Sequence, residues 1–166
     1  MAKTLADIHN IRLSIERIGN LSDDVIHLGP VRFGLDGFLE MIPLAGEIYS
    51  LSAGALLLIE GLRARVPLTT LIGVIVLIGL RTLIGSVDVL AIPVAGPLAV
   101  LLGAPTNLIA AGFRAHRTSA NMLIRAMDDT YYSELSHAEA RRQPDYATLV
   151  ANIRSGTERR RIVFLG

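Results

Sequence analysis

Arg81 and Asp88 are the only charged side chains between Val66 and Phe113, a stretch otherwise built of Leu, Ile, Val, Ala, Gly and Pro with a few Thr, Ser and Asn. An ionisable group inside so apolar a segment is costly to bury, so it stands as a functional hypothesis: part of an ion path or of a subunit contact. Seven positions apart, the two share one face of a continuous helix, about 10 Å from each other along the axis. That is too far for a direct pair, and each could instead meet Glu47 or Asp36. The simpler reading has Arg81 snorkelling to a polar boundary at its helix end, with Asp88 already in an aqueous turn. Asn107, beside Thr106, could hydrogen-bond across helices or satisfy carbonyls freed by Pro105. The candidate polar or assembly residues are therefore Asp36, Glu47, Arg81, Asp88 and Asn107.

Little other chemistry is legible. With no cysteine there is no disulfide framework, thiolate nucleophile, iron–sulfur cluster or Cys-ligated zinc. The histidines, His9, His27, His116 and His137, all fall outside the most apolar segments, so haem held at membrane depth has no histidine donor. Lys3 is the sole lysine, which leaves none for a Schiff base inside a bundle. The HExxH pattern, the phosphate-binding loop, the dinucleotide fingerprint and the GxSxG elbow are missing. The expectation is a protein without catalytic, metal or cofactor residues, bound lipid aside. A net charge of +1 and a single basic run, Arg159 to Arg161, speak against nucleic acid.

The elements that position these residues follow from the patterning. The chain has 166 residues, of which 51% are hydrophobic and 19% charged, and its mean hydropathy is +0.49. That is more apolar than an ordinary soluble domain. It predicts an all-α integral membrane protein with about three membrane-embedded helices, Pro/Gly-broken turns between them and amphipathic helices at both ends. Thr4 and Asp7 form a capping-box pattern ahead of Ile8, Ile11, Ile15 and Ile18, so the first amphipathic helix ends near Gly19 and Asn20. Between Val31 and Gly46, Arg32, Asp36, Glu40 and Pro43 argue for an interfacial or re-entrant segment. Leu44 to Leu62 is the first candidate span and Val66 to Val87 the strongest, with Pro67 at its start. Val89 to Phe113 is broken by Pro93, Pro97 and Pro105 into a turn over 92–97 and a kinked helix over 98–114. Leu123, Met127, Tyr131 and Leu135, at steps of four, predict an amphipathic helix from Thr118 to Arg142, and Pro144 opens a shorter one to Arg154. The last residues, TERRRIVFLG, read as an extended tail or docking segment. No removable secretory signal is visible at the N-terminus.

Three regions result: an amphipathic arm over 1–30, a membrane domain over 31–115 and a polar arm over 116–166. Within the middle region, residues 42–64 and 92–115 share Ile-Pro-x-Ala-Gly at one end and Arg-Ala at the other, a weak parallel repeat. Arg32-Phe33-Gly34-Leu35-Asp36, Ile42-Pro43-x-x-Gly46 with Glu47, Gly85-Ser86, Ile92-Pro93-x-x-Gly96, and Arg114 to Arg117 ahead of Asn121 carry a resemblance. The chain resembles the bacterial membrane proteins of the domain-of-unknown-function family 4112 over roughly Val31 to Asp129. That family usually has Gly-Asp where this chain has Gly46-Glu47, and a second Gly-Asp where this chain has Gly96-Pro97. The second acidic position is lost here. The resemblance implies a membrane placement and brings no established activity.

The function expected on these grounds is that of a non-catalytic accessory or scaffolding subunit of a larger inner-membrane complex, an energy-transducing one among the hosts considered. A small homo-oligomeric transporter or channel is the alternative, and a lipid-binding or membrane-shaping protein the third. Expected partners are membrane lipids, other integral membrane proteins or copies of the chain itself. The expected location is the bacterial inner (cytoplasmic) membrane, multi-pass, with a cytoplasmic C-terminus from the placement of Arg63, Arg65, Arg114, Arg117 and Arg125.

Overall fold

Isoleucines spaced by three and four residues near the N-terminus form the inner stripe of a helix. The computed structural model describes residues 1–23, 26–28, 31–33, 45–82, 115–156 and 161–166, and α1 runs over Leu5–Asp23. Its first turn is closed reciprocally. Thr4 Oγ1 accepts from the Asp7 N–H at 3.1 Å, and the Asp7 carboxylate accepts from the N–H groups of Thr4 at 3.2 Å and Lys3 at 2.9 Å. Aspartate thus stands where a capping box commonly has glutamate. Ile11 and Ile15 are fully buried, and α1 packs along α4, the helix Ala115–Asp128 that lies later in the chain. Gly19 sets the closest approach, since a Cβ there would lie 2.8 Å from Ala120 Cβ. Arg12 reaches Asp128 of α4 and Glu16 of its own helix, tying the two helices on their solvent side.

Strands β1 (Ile26–Leu28) and β2 (Val31–Phe33) pair antiparallel, Ile26 opposite Phe33 and Leu28 opposite Val31. Helix α2 covers Ala45–Arg63, and α3 is described over 68–82. Between them Arg65 takes a left-handed φ of 54°, and Pro67 precedes α3. The two helices lie antiparallel and close. Gly54 sits against Ile78 and Gly61 against Leu71, each 2.9 Å from where a Cβ would be. Both also rest on α4, through Gly61 on Leu123 and Gly73 on Met122. The architecture is therefore two layers, α1 with α4 and α2 with α3, and the core of Ile11, Ile15, Leu57, Val74 and Leu123 lies between them.

After α4 the chain forms β3 (Thr130–Ser133), α5 (His137–Ala140), α6 (Pro144–Arg154) and β4 (Arg161–Phe164). β4 pairs parallel with β3, Thr130 opposite Arg161 and Ser133 opposite Phe164, so the two helices form the crossover that parallel strands require. Val163 and Leu165 enter the core.

The expectation of an all-α integral membrane protein with about three membrane-embedded helices is overturned. Among the described residues no helix is long and apolar enough to cross a membrane. The span placed at Leu44 to Leu62 is helical as α2, but its 19 residues include Glu47, Glu60 and Arg63. Only the run from Ile48 to Ile59 is free of charge, which falls short of the roughly 20 apolar residues a span needs. The span placed at Val66 to Val87 is helical from 68 and has Arg81 near the end of its described part. The transmembrane reading thus loses α2 and the described part of α3 as spans, and the third segment it used, residues 89–113, lies outside the described residues. Two strand pairs were also not foreseen. The helix predicted over Thr118 to Arg142 stops at Asp128, because Thr130-Tyr131-Tyr132-Ser133 is β-branched and aromatic and finds β4 as a partner. The turn expected over 92–97 and the kinked helix over 98–114 lie outside the described residues.

Candidate functional site

Several of the small residues of α2 point inward. Ala53, Gly54, Gly61 and the following Ala64 are buried together with Leu57, whereas Ile48, Leu51, Leu56, Ile59 and Leu62 stand about half exposed or more. On α3, Leu71, Val74 and Ile78 are buried while Leu68, Ile72, Ile75, Val76 and Leu80 face outward. Fourteen large apolar side chains are exposed among the described residues, and ten of them sit on these two helices. The other layer behaves oppositely. Outward positions of α1 include His9, Asn10 and Arg17, and those of α4 include Arg117, Asn121 and Arg125. A helix that is apolar all round is one that belongs in an interior. The body therefore carries one polar side and one aliphatic side, and the second is its candidate functional surface.

The hairpin that presents this surface is locked at its turn by residues from both chain ends. The Ala2 N–H donates to the Arg63 carbonyl at 3.0 Å, and the Tyr132 hydroxyl donates to the Ala64 carbonyl at 2.9 Å. Arg161 donates to the Arg65 carbonyl, and the Arg65 guanidinium donates to the Phe164 carbonyl. Burial pushes the Tyr132 hydroxyl above its usual pKa. Of the basic run Arg159 to Arg161, Arg161 is thus committed to the fold.

A buried polar group lies between the layers. Arg81 is 8% exposed, and His116 and Ser119 are fully buried. His116 occupies the same three–four stripe of α4 as Ala120, Leu123 and Met127, which is the signal in the sequence that would have placed it inside. Burial, then the neighbouring Arg81 charge, lowers its pKa to about 4. Such an imidazole is neutral near pH 7 and a poor proton acceptor there, so the pair does not make a general base. Ser119 Oγ makes no hydrogen bond among the described residues.

Of the residues singled out from sequence, only Arg81 is placed with its surroundings. Glu47 falls in the first turn of α2, and Asp36, Asp88 and Asn107 lie outside the described residues. Among the described residues no cluster of three or more His, Cys, Asp or Glu could hold a metal ion. The one Glu-x-x-His spacing near α5, Glu134 to His137, is not a ligand pair. The Glu134 carboxylate accepts from the Leu5 N–H at 2.7 Å, and His137 packs edge-on against Phe164, their ring centres 5.0 Å apart.

A family model described as a domain of unknown function, DUF4112, matches residues 11–127. The match starts earlier than the resemblance read from the RFGLD motif, taking in most of α1, and runs through the two-layer body almost to the end of α4. No curated protein and no solved structure matches the chain. With well over half of its length matched, the chain belongs to the DUF4112 family.

Proposed function

We propose that this protein is a non-catalytic scaffolding or accessory subunit that attaches through the outer face of α2 and α3. The observation that carries the reading is the placement of ten large aliphatic side chains, each about half exposed or more, on two adjacent helices. Their exposed area is on the order of the ~800 Å² per partner that a standard interface covers. Left in water, such a face stands against the hydrophobic effect, so a covered state is favoured. The polar outer faces of α1 and α4 leave the opposite side to solvent, and the locked turn at Arg63 to Pro67 keeps the two helices in fixed relation.

The test is native mass after gentle extraction of the full chain from the cells that make it, compared with a variant carrying Leu51→Ser, Ile59→Ser and Ile72→Ser. The expected result is a wild-type particle larger than one 17.9 kDa chain and release of the variant as a folded monomer. A wild-type chain that runs alone, indistinguishable from the variant, overturns the reading.

A further inference from the structure

Along α2 the outward positions Ile48, Ser52, Ala55, Ile59 and Leu62 follow one another at four, three, four and three residues, and all are exposed. On α3, Leu68, Ile72, Ile75 and Gly79 repeat the alternation and are exposed as well. Steps of three and four trace one uncharged face on each helix, and two antiparallel helices that present such faces can supply half of a four-helix bundle. We propose that the face is occupied by a second copy of this chain, the two hairpins closing into a four-helix bundle about a two-fold axis near Ala55. The proposal rests on the reading of that face as a docking surface and names its partner.

The pattern is self-complementary about its middle. Run antiparallel against itself, the α2 seam sets Ile48 opposite Leu62 and Ser52 opposite Ile59, and Ala55 meets its own copy. Small faces large or small faces small at the centre, which permits close approach, and large residues close the ends. No charged residue lies in the seam, so two copies meet without like-charge conflict. The same arrangement brings the last turn of α2, which carries Arg63, beside the first turn of the other copy, which carries Glu47. Two-fold contacts of this isologous kind are the commonest form of closed assembly, and homodimer interfaces are the most apolar ones. The seam runs about 21 Å from Ile48 to Leu62 at 1.5 Å per residue, long enough for four turns of packing.

The experiment is sedimentation equilibrium on the purified full chain at micromolar concentration, with Ala55→Glu and Ala55→Arg variants measured separately and mixed. Ala55 is exposed, so both variants fold, which circular dichroism verifies. The expected result is twice the chain mass for the wild type and a dissociation constant raised at least about a hundredfold in each variant alone, since like charges meet at the axis. Mixing Ala55→Glu with Ala55→Arg restores a dimer. A dimeric wild type whose variants remain dimeric overturns the proposed face. A monomeric wild type that binds vesicles of equimolar phosphatidylcholine and phosphatidylglycerol overturns the second copy and leaves the docking reading standing with lipid as the occupant. A monomer that binds no vesicle overturns the second copy, and the native-mass comparison of wild type and triple variant then decides whether another protein covers the face.

Discussion

Leu57 and Ile59 are nearly adjacent in α2, yet the fold gives them opposite fates. Leu57 is 0% exposed, within the core of Val74 and Leu123, and Ile59 is 51% exposed. Leu57→Ala removes three carbons from a fully buried position, about 2.4 kcal/mol at about 0.8 per methylene. The cavity left behind raises the loss to about 3–5 kcal/mol, since the surrounding helices relax only in part. Ile59→Ala forfeits about half of the corresponding transfer and opens no cavity. Alanine's better helix propensity offsets a few tenths of a kcal/mol, so the net loss stays below about 1 kcal/mol. Urea unfolding followed by circular dichroism, with both substitutions in the Ala55→Arg background to remove association, should separate the two by about 3 kcal/mol. Equal losses, or a larger loss for Ile59→Ala, would mean that α2 is turned about its axis, and the aliphatic docking face would have no basis.

His116 gives a pH dependence of definite sign. Its folded pKa of about 4 lies below the unfolded value near 6.5, so the unfolded chain binds the extra proton first. The stability from burying the neutral ring is complete above pH 6.5 and falls by about 3 kcal/mol as pH drops to 4. His116→Gln should flatten that part of the profile in denaturant titrations between pH 7 and 4, and a wild-type curve that parallels the variant would exclude burial of the neutral ring. Leu165→Ala, next to the chain end but 4% exposed, should cost about 2–3 kcal/mol by thermal unfolding; an unchanged midpoint would mean the C-terminal strand is not part of the core. At the α1–α4 crossing, Gly19→Ala should be relieved by Ala120→Gly, with a coupling of about 1–2 kcal/mol in a double-mutant cycle, and additive effects would refute the close approach there.

Local signals carried the sequence reading where it succeeded. Thr4 and Asp7 mark the start of α1 because a cap is a matter of three residues, and Pro67 and Pro144 open α3 and α6 for the same reason. Non-local partners defeated it. Tyr131 and Leu135 continue the four-residue step of Leu123 and Met127, and only pairing with Arg161–Phe164 turns that segment into a strand. A run of three arginines looks solvated until one of them is seen to hold the Arg65 carbonyl. Likewise, Arg81 beside His116 is a tertiary fact that spacing along the chain does not encode.

The expectation of membrane-spanning helices at α2 and α3 failed for a reason that also explains the candidate site. Hydropathy averaged over a window counts how many apolar residues a helix has and is blind to which side each occupies. α2 and α3 are apolar on both sides, so they raise the mean like spans, although one side of each is spent on the layer formed by α1 and α4. Residue size carried part of the distinction on α2, where Leu57 is buried and Ser52 and Ala55 are exposed, and none of it on α3. Ala53, Gly54, Gly61 and Ala64 cluster on the side that meets neighbouring helices closely, and Ile48, Leu51, Ile59 and Leu62 fall on the other. Small residues let backbones approach within the protein, while large aliphatics gain most from whatever covers them afterwards. On the proposed reading, the small-residue side of α2 makes the contacts described within the fold, and the large aliphatic side is the face offered to a partner.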